Sequence, residues 1–141
     1  MTLTHHDLCF GCGTANLFGL QMEVEPAHEG QGVSGRFFVT QDHQGPPGHA
    51  HGGVLACALD EGMALCVLNE GERVVTRRLE VDYLAPAPVG TFVRVDARVE
   101  RRERQLLEVS AEARGVGGER TLMAQARARF VRVAGDSARP R

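Results

Sequence analysis

Apolar and polar residues alternate along most of this chain, and one stretch breaks the pattern. Leu20-Gln21-Met22-Glu23-Val24 alternates as a half-buried strand should, and Val33 to Val39 reads as a second strand after a turn at Gly30-Gln31-Gly32. Residues 40 to 50 contain Gly45, Pro46, Pro47 and Gly48 and are expected to form an irregular loop. The alternation returns after residue 74. Val75, Arg77, Leu79, Val81 and Tyr83 are expected on one face of a strand, with Thr76, Arg78, Glu80 and Asp82 on the other. Ala85 to Gly90 interrupts. Val93, Val95, Ala97 and Val99 then alternate with Arg94, Asp96, Arg98 and Glu100. Arg101 to Arg104 turns the chain into a strand carrying Leu107, Val109, Ala111 and Ala113. Gly115 to Gly118 turns it again, and residues 120 to 133 form the last strand.

The exception runs from His51 to Leu68 and reads as one helix ending near Gly71. It is apolar on every side, which places it in a core. Asp60 and Glu61 stand together in its middle, and a carboxylate there is costly unless paired or hydrogen-bonded. The helix opens on Gly52-Gly53, so its unpaired N–H groups are accessible to a carbonyl oxygen. A polarising N–H and a buried carboxylate are two of the parts that acyl transfer needs. Strand, strand, helix and four strands predict an α+β fold, an antiparallel sheet of about five to six strands around one long helix. A helix apolar all round also needs a cover on its far side, and a second copy of the chain is the expected source.

At 141 residues, 43% of them apolar, the chain is expected to be a single domain over 1–141. Residues 1–16 read as an N-terminal arm and 134–141 as a frayed tail. The net charge of −2, one tyrosine and no tryptophan exclude a strongly basic or aromatic nucleic-acid platform. Arg94, Arg98 and Arg102 are interleaved with Asp96 and Glu100 and read as a solvated sheet face. All basic residues are arginine, which excludes a lysine Schiff base. The opening Met-Thr-Leu-Thr-His-His-Asp has no signal-peptide pattern, and the carboxylates interrupt the best membrane candidate. No membrane partner and a cytoplasmic location are expected.

Of the four cysteines, Cys57 and Cys66 fall on roughly opposite sides of the helix and read as buried, reduced thiols. Cys9-Phe10-Gly11-Cys12-Gly13 is a CxxC. With His5 or His6 it supplies three zinc ligands, where a structural site wants four, and there is no second CxxC. The expected reading is a tight glycine-rich structural turn with no metal.

Several of these segments together resemble the hotdog-fold acyl-CoA thioesterases, in particular the branch related to phenylacetate-pathway thioesterases. The resemblance rests on the CxxC segment, Gln44-Gly45-Pro46-Pro47-Gly48, His51-Gly52-Gly53, Asp60 nine residues after His51, Thr76, and Leu79-Glu80-Val81-Asp82-Tyr83-Leu84-Ala85-Pro86. It implies a hotdog fold, an acyl-CoA substrate, no cofactor, and a homodimer or dimer of dimers. It places the catalytic carboxylate on Asp60, the oxyanion N–H on Gly52, the preceding histidine on His51, and a positioning hydroxyl on Thr76. Gln44, Gly53 and Glu61 are expected to contact substrate. Some relatives carry an asparagine where this chain has Gly45, and Gln44 is the expected stand-in for its amide.

Gly52 and Asp60 lie about 12 Å apart along one helix, too far for one thioester to touch both. The expected site therefore joins His51 and Gly52 of one subunit to Asp60 and Thr76 of another. The rival readings are a non-catalytic acyl-CoA binder and a hotdog dehydratase or hydratase. Against the dehydratase pattern, Ala58 stands where a glutamate is wanted; against the hydratase pattern, Leu65 stands where a histidine is wanted.

Overall fold

A computed structural model describes residues 1–28 and 31–133 of the chain. The elements follow in the order β1 (Glu23–Pro26), β2 (Val33–Phe38), α1 (Gly52–Asn69), β3 (Val74–Tyr83), β4 (Phe92–Arg102), β5 (Leu106–Gly115) and β6 (Leu122–Arg132). The strands form one six-stranded antiparallel sheet in the order β1-β2-β4-β5-β6-β3. The expected α+β arrangement is therefore present. Gly30 of the predicted turn and the predicted tail at 134–141 lie outside the described residues.

The sheet curls around α1. Leu59, Met63, Leu65 and Val67 of the helix are fully buried, as are Phe37 and Phe130 of the sheet. Gly62 permits a close approach: a Cβ there would lie 2.8 Å from Val95 Cγ1 of β4. The helix stops where the sequence suggests. Gly71 takes φ +87° and donates to Leu68 O, while the Glu72 N–H reaches back to Val67 O. That pair of bonds is the Schellman closure that a left-handed glycine permits.

Four expectations need correction. First, Leu20 and Met22 are core residues but not strand residues, because Gln21 turns the backbone to φ 51°. Second, the 40–50 loop contains regular structure, a 3-10 turn over Gln41–His43. Thr40 caps it by accepting from the Asp42 N–H, and His43 reciprocates by accepting from the Thr40 N–H. Third, Cys57 is not fully buried, because the side of α1 expected to need a covering copy stays open within one chain. Gly53, Cys57, Asp60, Ala64 and Leu68 form an open or half-open stripe at helical spacing. Cys57 is thus half-buried, and only Cys66 is the buried thiol expected. By length and composition α1 could also cross a membrane, contrary to the sequence reading, but here it packs as the core helix of the sheet.

The fourth correction concerns β3. Thr76 pairs with Phe130 and Arg78 with Arg129, so Arg77 is an extra residue, a β-bulge. Leu79, Val81 and Tyr83 pair with Ala128, Ala126 and Ala124. Residues directly opposed across a sheet share a face. The bulge therefore moves Thr76 to the helix side with Leu79, Val81 and Tyr83, where simple alternation separates them.

Candidate active site

Asp60 sits at the centre of the open stripe of α1. The bulge in β3 brings Thr76 under it, and the Thr76 hydroxyl donates to Asp60 Oδ1 at 2.9 Å. Among the described residues Oδ2 accepts no hydrogen bond, so it is free to face a water or substrate. Burial pushes the Asp60 carboxyl above its usual range; the Thr76 hydrogen bond opposes this, and the neighbouring Glu61 charge reinforces it. A carboxylate raised this way is a better proton acceptor near neutral pH.

The start of α1 is built by the 40–50 loop. The Ala50 N–H donates to Ala87 O and the His51 N–H to His43 O, each at 2.8 Å. His51 is the N-cap, and its Nδ1 accepts the Gly53 N–H at 2.8 Å. In the neutral ring the proton is then on Nε2, which leaves an N–H directed away from the helix. Tyr83 completes the anchor by donating its hydroxyl to Gly52 O at 2.7 Å. Among the described residues the Gly52 N–H has no acceptor. It is a helix-terminal donor carrying part of the helix dipole, positioned for an oxyanion.

The structure thus joins Asp60 with Thr76, and His51 with Gly52 and Gly53, as two half-sites on one helix. It does not bring the halves together within one chain. Gly53 spends its N–H on His51, so its contribution is clearance: a Cβ there would press on His51 Nδ1 at 3.1 Å. Gln44 is engaged inside its loop, accepting the Gly48 N–H at 2.7 Å and donating to Gln41 O. At Gly45 there is no room for an asparagine, since a Cβ would fall 2.8 Å from the His51 Cα.

Glu61 goes elsewhere. It is buried on a different side of α1, about 100° round from Asp60, where Oε2 lies 2.8 Å from His5 Nδ1 and 3.3 Å from Cys9 Sγ. Cys12 Sγ lies 3.8 Å from the same His5 nitrogen, and the four donor atoms all fall within 4.8 Å of one another. Burial pushes Glu61 up, but the bonds from His5, Cys12 and Cys9 outweigh it and the carboxyl ends below its ordinary value. The Glu61 hydrogen bond in turn holds the His5 imidazole up to about 9. Cys57 and Cys66 are pushed up to about 12 and about 11 by burial, so both stay protonated.

Sequence reasoning missed Tyr83 as an anchor of the helix start and Glu61 as the partner of the arm. Tyr83 stands in the strand that carried the resemblance, and its being the chain's one tyrosine was the available signal. The arm residues His5, Cys9 and Cys12 were seen as three ligands short of a fourth, and that fourth donor is Glu61.

The thioesterase superfamily model matches residues 47–122, more than half of the chain, and the chain belongs to that family. A rat protein, acyl-coenzyme A thioesterase THEM4, is 36% identical over 90 residues, a match that covers 64% of this chain and 38% of the rat protein. The chain therefore spans well under half the length of this curated relative. A solved thioesterase superfamily protein superimposes with a TM-score of 0.80 at 25% identity, covering 92% of this chain and 64% of that one. A phenylacetic acid degradation-related protein from Ralstonia eutropha JMP134 superimposes with a TM-score of 0.69 at 28% identity, covering 79% and 85%. The fold is the hotdog, and the resemblance to the phenylacetate-related branch holds.

Proposed function

We propose that this protein hydrolyses acyl-CoA thioesters at a site shared between two copies of the chain. The observation that carries the reading is the pair of incomplete halves on α1: an Asp60 carboxylate positioned by Thr76, and an unspent Gly52 N–H about 12 Å away. Two antiparallel α1 helices lying side by side would oppose Asp60 of one chain to Gly52 of the other. The name of the rat relative supports acyl-CoA as the substrate class.

In this scheme the thioester carbonyl oxygen points at the Gly52 N–H, and the His51 imidazole, capping the same helix start, orders the helix entry or holds the same group. Asp60 Oδ2 takes a proton from water as the water oxygen attacks the carbonyl carbon. The negative charge passes to the carbonyl oxygen, where the helix-terminal N–H stabilises it. Collapse of that intermediate breaks the carbon–sulfur bond and releases CoA thiolate, which recovers the proton. The acyl group leaves as a carboxylic acid.

The surfaces left open on one chain support a two-fold homodimer. Among the described residues β3 has no strand neighbour beyond β6, and Tyr83, on the helix side of this edge strand, is exposed. A cytoplasmic location belongs to the same reading.

The test is CoA release, read by mass spectrometry, from short, medium, long and aromatic acyl-CoAs, with wild type beside Asp60→Asn. Turnover lost in the variant supports hydrolysis. Acyl-CoA binding with no turnover on any ester would make the protein a binder and overturn the proposal. Sedimentation that finds an active monomer would overturn the shared site.

A further inference from the structure

We propose that His5, Cys9, Cys12 and Glu61 form a tetrahedral zinc site that fastens the N-terminal arm to the middle of α1. The inference stands apart from the thioesterase reading and is tested without reference to it.

The donor set is the first argument. Two sulfurs, an imidazole nitrogen and a carboxylate oxygen are what a borderline-soft, four-coordinate ion such as Zn²⁺ takes. The spacing is the second. With sulfur about 2.3 Å and nitrogen or oxygen about 2.0–2.1 Å from zinc, a tetrahedral angle sets neighbouring donors about 3.3–3.8 Å apart. The separations here are 2.8 Å for His5 Nδ1 to Glu61 Oε2, 3.3 Å for Cys9 Sγ to the same oxygen, and 3.7 and 3.8 Å for the two sulfurs to His5 Nδ1. Of these four only the first must open, by about half an ångström, and the two remaining pairs, from Cys12 Sγ to Cys9 Sγ and to Glu61, lie within 4.8 Å.

Preorganisation is the third argument. The Cys9–Gly13 turn is held by backbone bonds from Gly13 to Cys9 O, Leu20 to Phe10 O and Met22 to Gly11 O. The His5 N–H points at Cys12 Sγ at 3.2 Å, a bond that strengthens when the thiol becomes a thiolate. Gly11 is where it is because Glu61 occupies the space: a Cβ there would lie 2.5 Å from Glu61 Cδ and Cγ. The turn is folded around the carboxylate. Cys12 and Glu61 are buried, Cys9 is half-buried, and His5 lies at the mouth. The ion therefore has a route in and a largely dry seat.

On binding, Zn²⁺ displaces one proton from each of Cys9 and Cys12 and the Nδ1 proton of the His5 imidazolium, and no oxidant or reductant is involved. The role is structural. Three protein ligands with an open fourth position would suit catalysis, but here the fourth position is filled by Glu61.

The experiment uses the full chain, purified without a chelator or a metal-affinity tag, with its thiols reduced. Elemental analysis should find about one zinc per chain, as a single closed site requires. Cobalt exchange should give thiolate-to-cobalt absorption in the near ultraviolet and the visible bands of a tetrahedral ion. Both signals should vanish in Cys12→Ser and survive in Cys66→Ala. Because Cys12→Ser could fail to fold, two further arms are included. Glu61→Gln should keep the fold by circular dichroism and hold zinc at least tenfold more weakly. Chelation of wild type should lower Tm by several degrees, with zinc restoring it and magnesium not. Zinc below about a tenth of an equivalent with no cobalt bands at tenfold excess, against the one ion a closed site requires, would overturn the proposal. Iron in place of zinc, or a Cys9–Cys12 disulfide in the reduced preparation, would overturn it equally.

Discussion

Asp60 and Glu61 are neighbours in sequence, carry the same functional group and sit on the same helix, yet they belong to different regions of the molecule. About 100° of helical rotation separates them. Asp60 faces the open stripe, with one hydroxyl bound to it and one oxygen free. Glu61 faces the arm, with His5, Cys9 and Cys12 gathered on it. Desolvation acts on both. On one face it is left partly uncompensated and the carboxyl is raised, and on the other hydrogen bonds outweigh it and the carboxyl is lowered. A buried carboxylate is thus defined by what the fold brings to it from elsewhere in the chain: a single hydroxyl in one case, a cluster of donors in the other.

Five substitutions put that contrast under strain, in falling order of effect. Asp60→Asn should lower kcat/KM by about 10²–10⁴-fold while leaving Tm nearly unchanged. Glu61→Gln should do the reverse, losing several degrees of Tm with far less loss of turnover. If the two variants exchange these phenotypes, the assignment of the faces is wrong.

Gly52→Pro removes one N–H and little else. Position 52 is the first helical residue, where proline is tolerated, and His51 at φ −61° and ψ 140° already has the backbone a residue before proline needs. A Cβ there meets the Tyr83 ring at an ordinary 3.6 Å. Steady-state kinetics should show a loss of about 10²–10³-fold in kcat with the fold retained. Full activity would remove Gly52 from the site.

Thr76→Val takes away the bond that opposes desolvation of Asp60. The base must be ionised to act, so activity falls as pH drops through the Asp60 pKa. Without Thr76 that pKa rises, and the acid limb of the kcat/KM profile should move to higher pH. A limb that stays in place, or moves down, would mean that Asp60 does not set it. Tyr83→Phe is the mildest change. It removes one hydrogen bond to Gly52 O and should cost about 0.5–1.5 kcal/mol in chemical denaturation. The accompanying fall in kcat/KM should be only a few-fold.

Much of this architecture was written in the period of the chain. Alternation marks β4, β5 and β6 to within a residue or two, and an unbroken apolar run marks α1. What periodicity cannot carry is a change of phase. The bulge at Arg77 shifts Thr76 by one position, and nothing in Val-Val-Thr-Arg-Arg-Leu announces which residue is extra. The capped turn at Thr40 was hidden for a related reason: His43 closes it where a glutamate or glutamine is the usual sign. The site was legible in unequal parts. Asp60, Gly52, His51 and Thr76 came from spacing and resemblance, and the structure gives each a consistent local geometry. Glu61 and Gln44 were assigned to substrate because their partners could not be read locally. His5 meets Glu61 from 56 residues away, and the Gln44 amide is absorbed by a loop whose closure depends on glycines.

The contact between Gly11 and Glu61 has a consequence for how such chains can change over time. The two positions are a single choice made twice. While a glutamate fills the pocket, any side chain at 11 collides with it, so glycine is held in place by a residue far away in sequence. Shortening residue 61 releases position 11 to vary, and enlarging position 11 first forces 61 to shrink. Among descendants of this sequence the two positions are therefore expected to change together, since a side chain at 11 needs Glu61 to move or shorten.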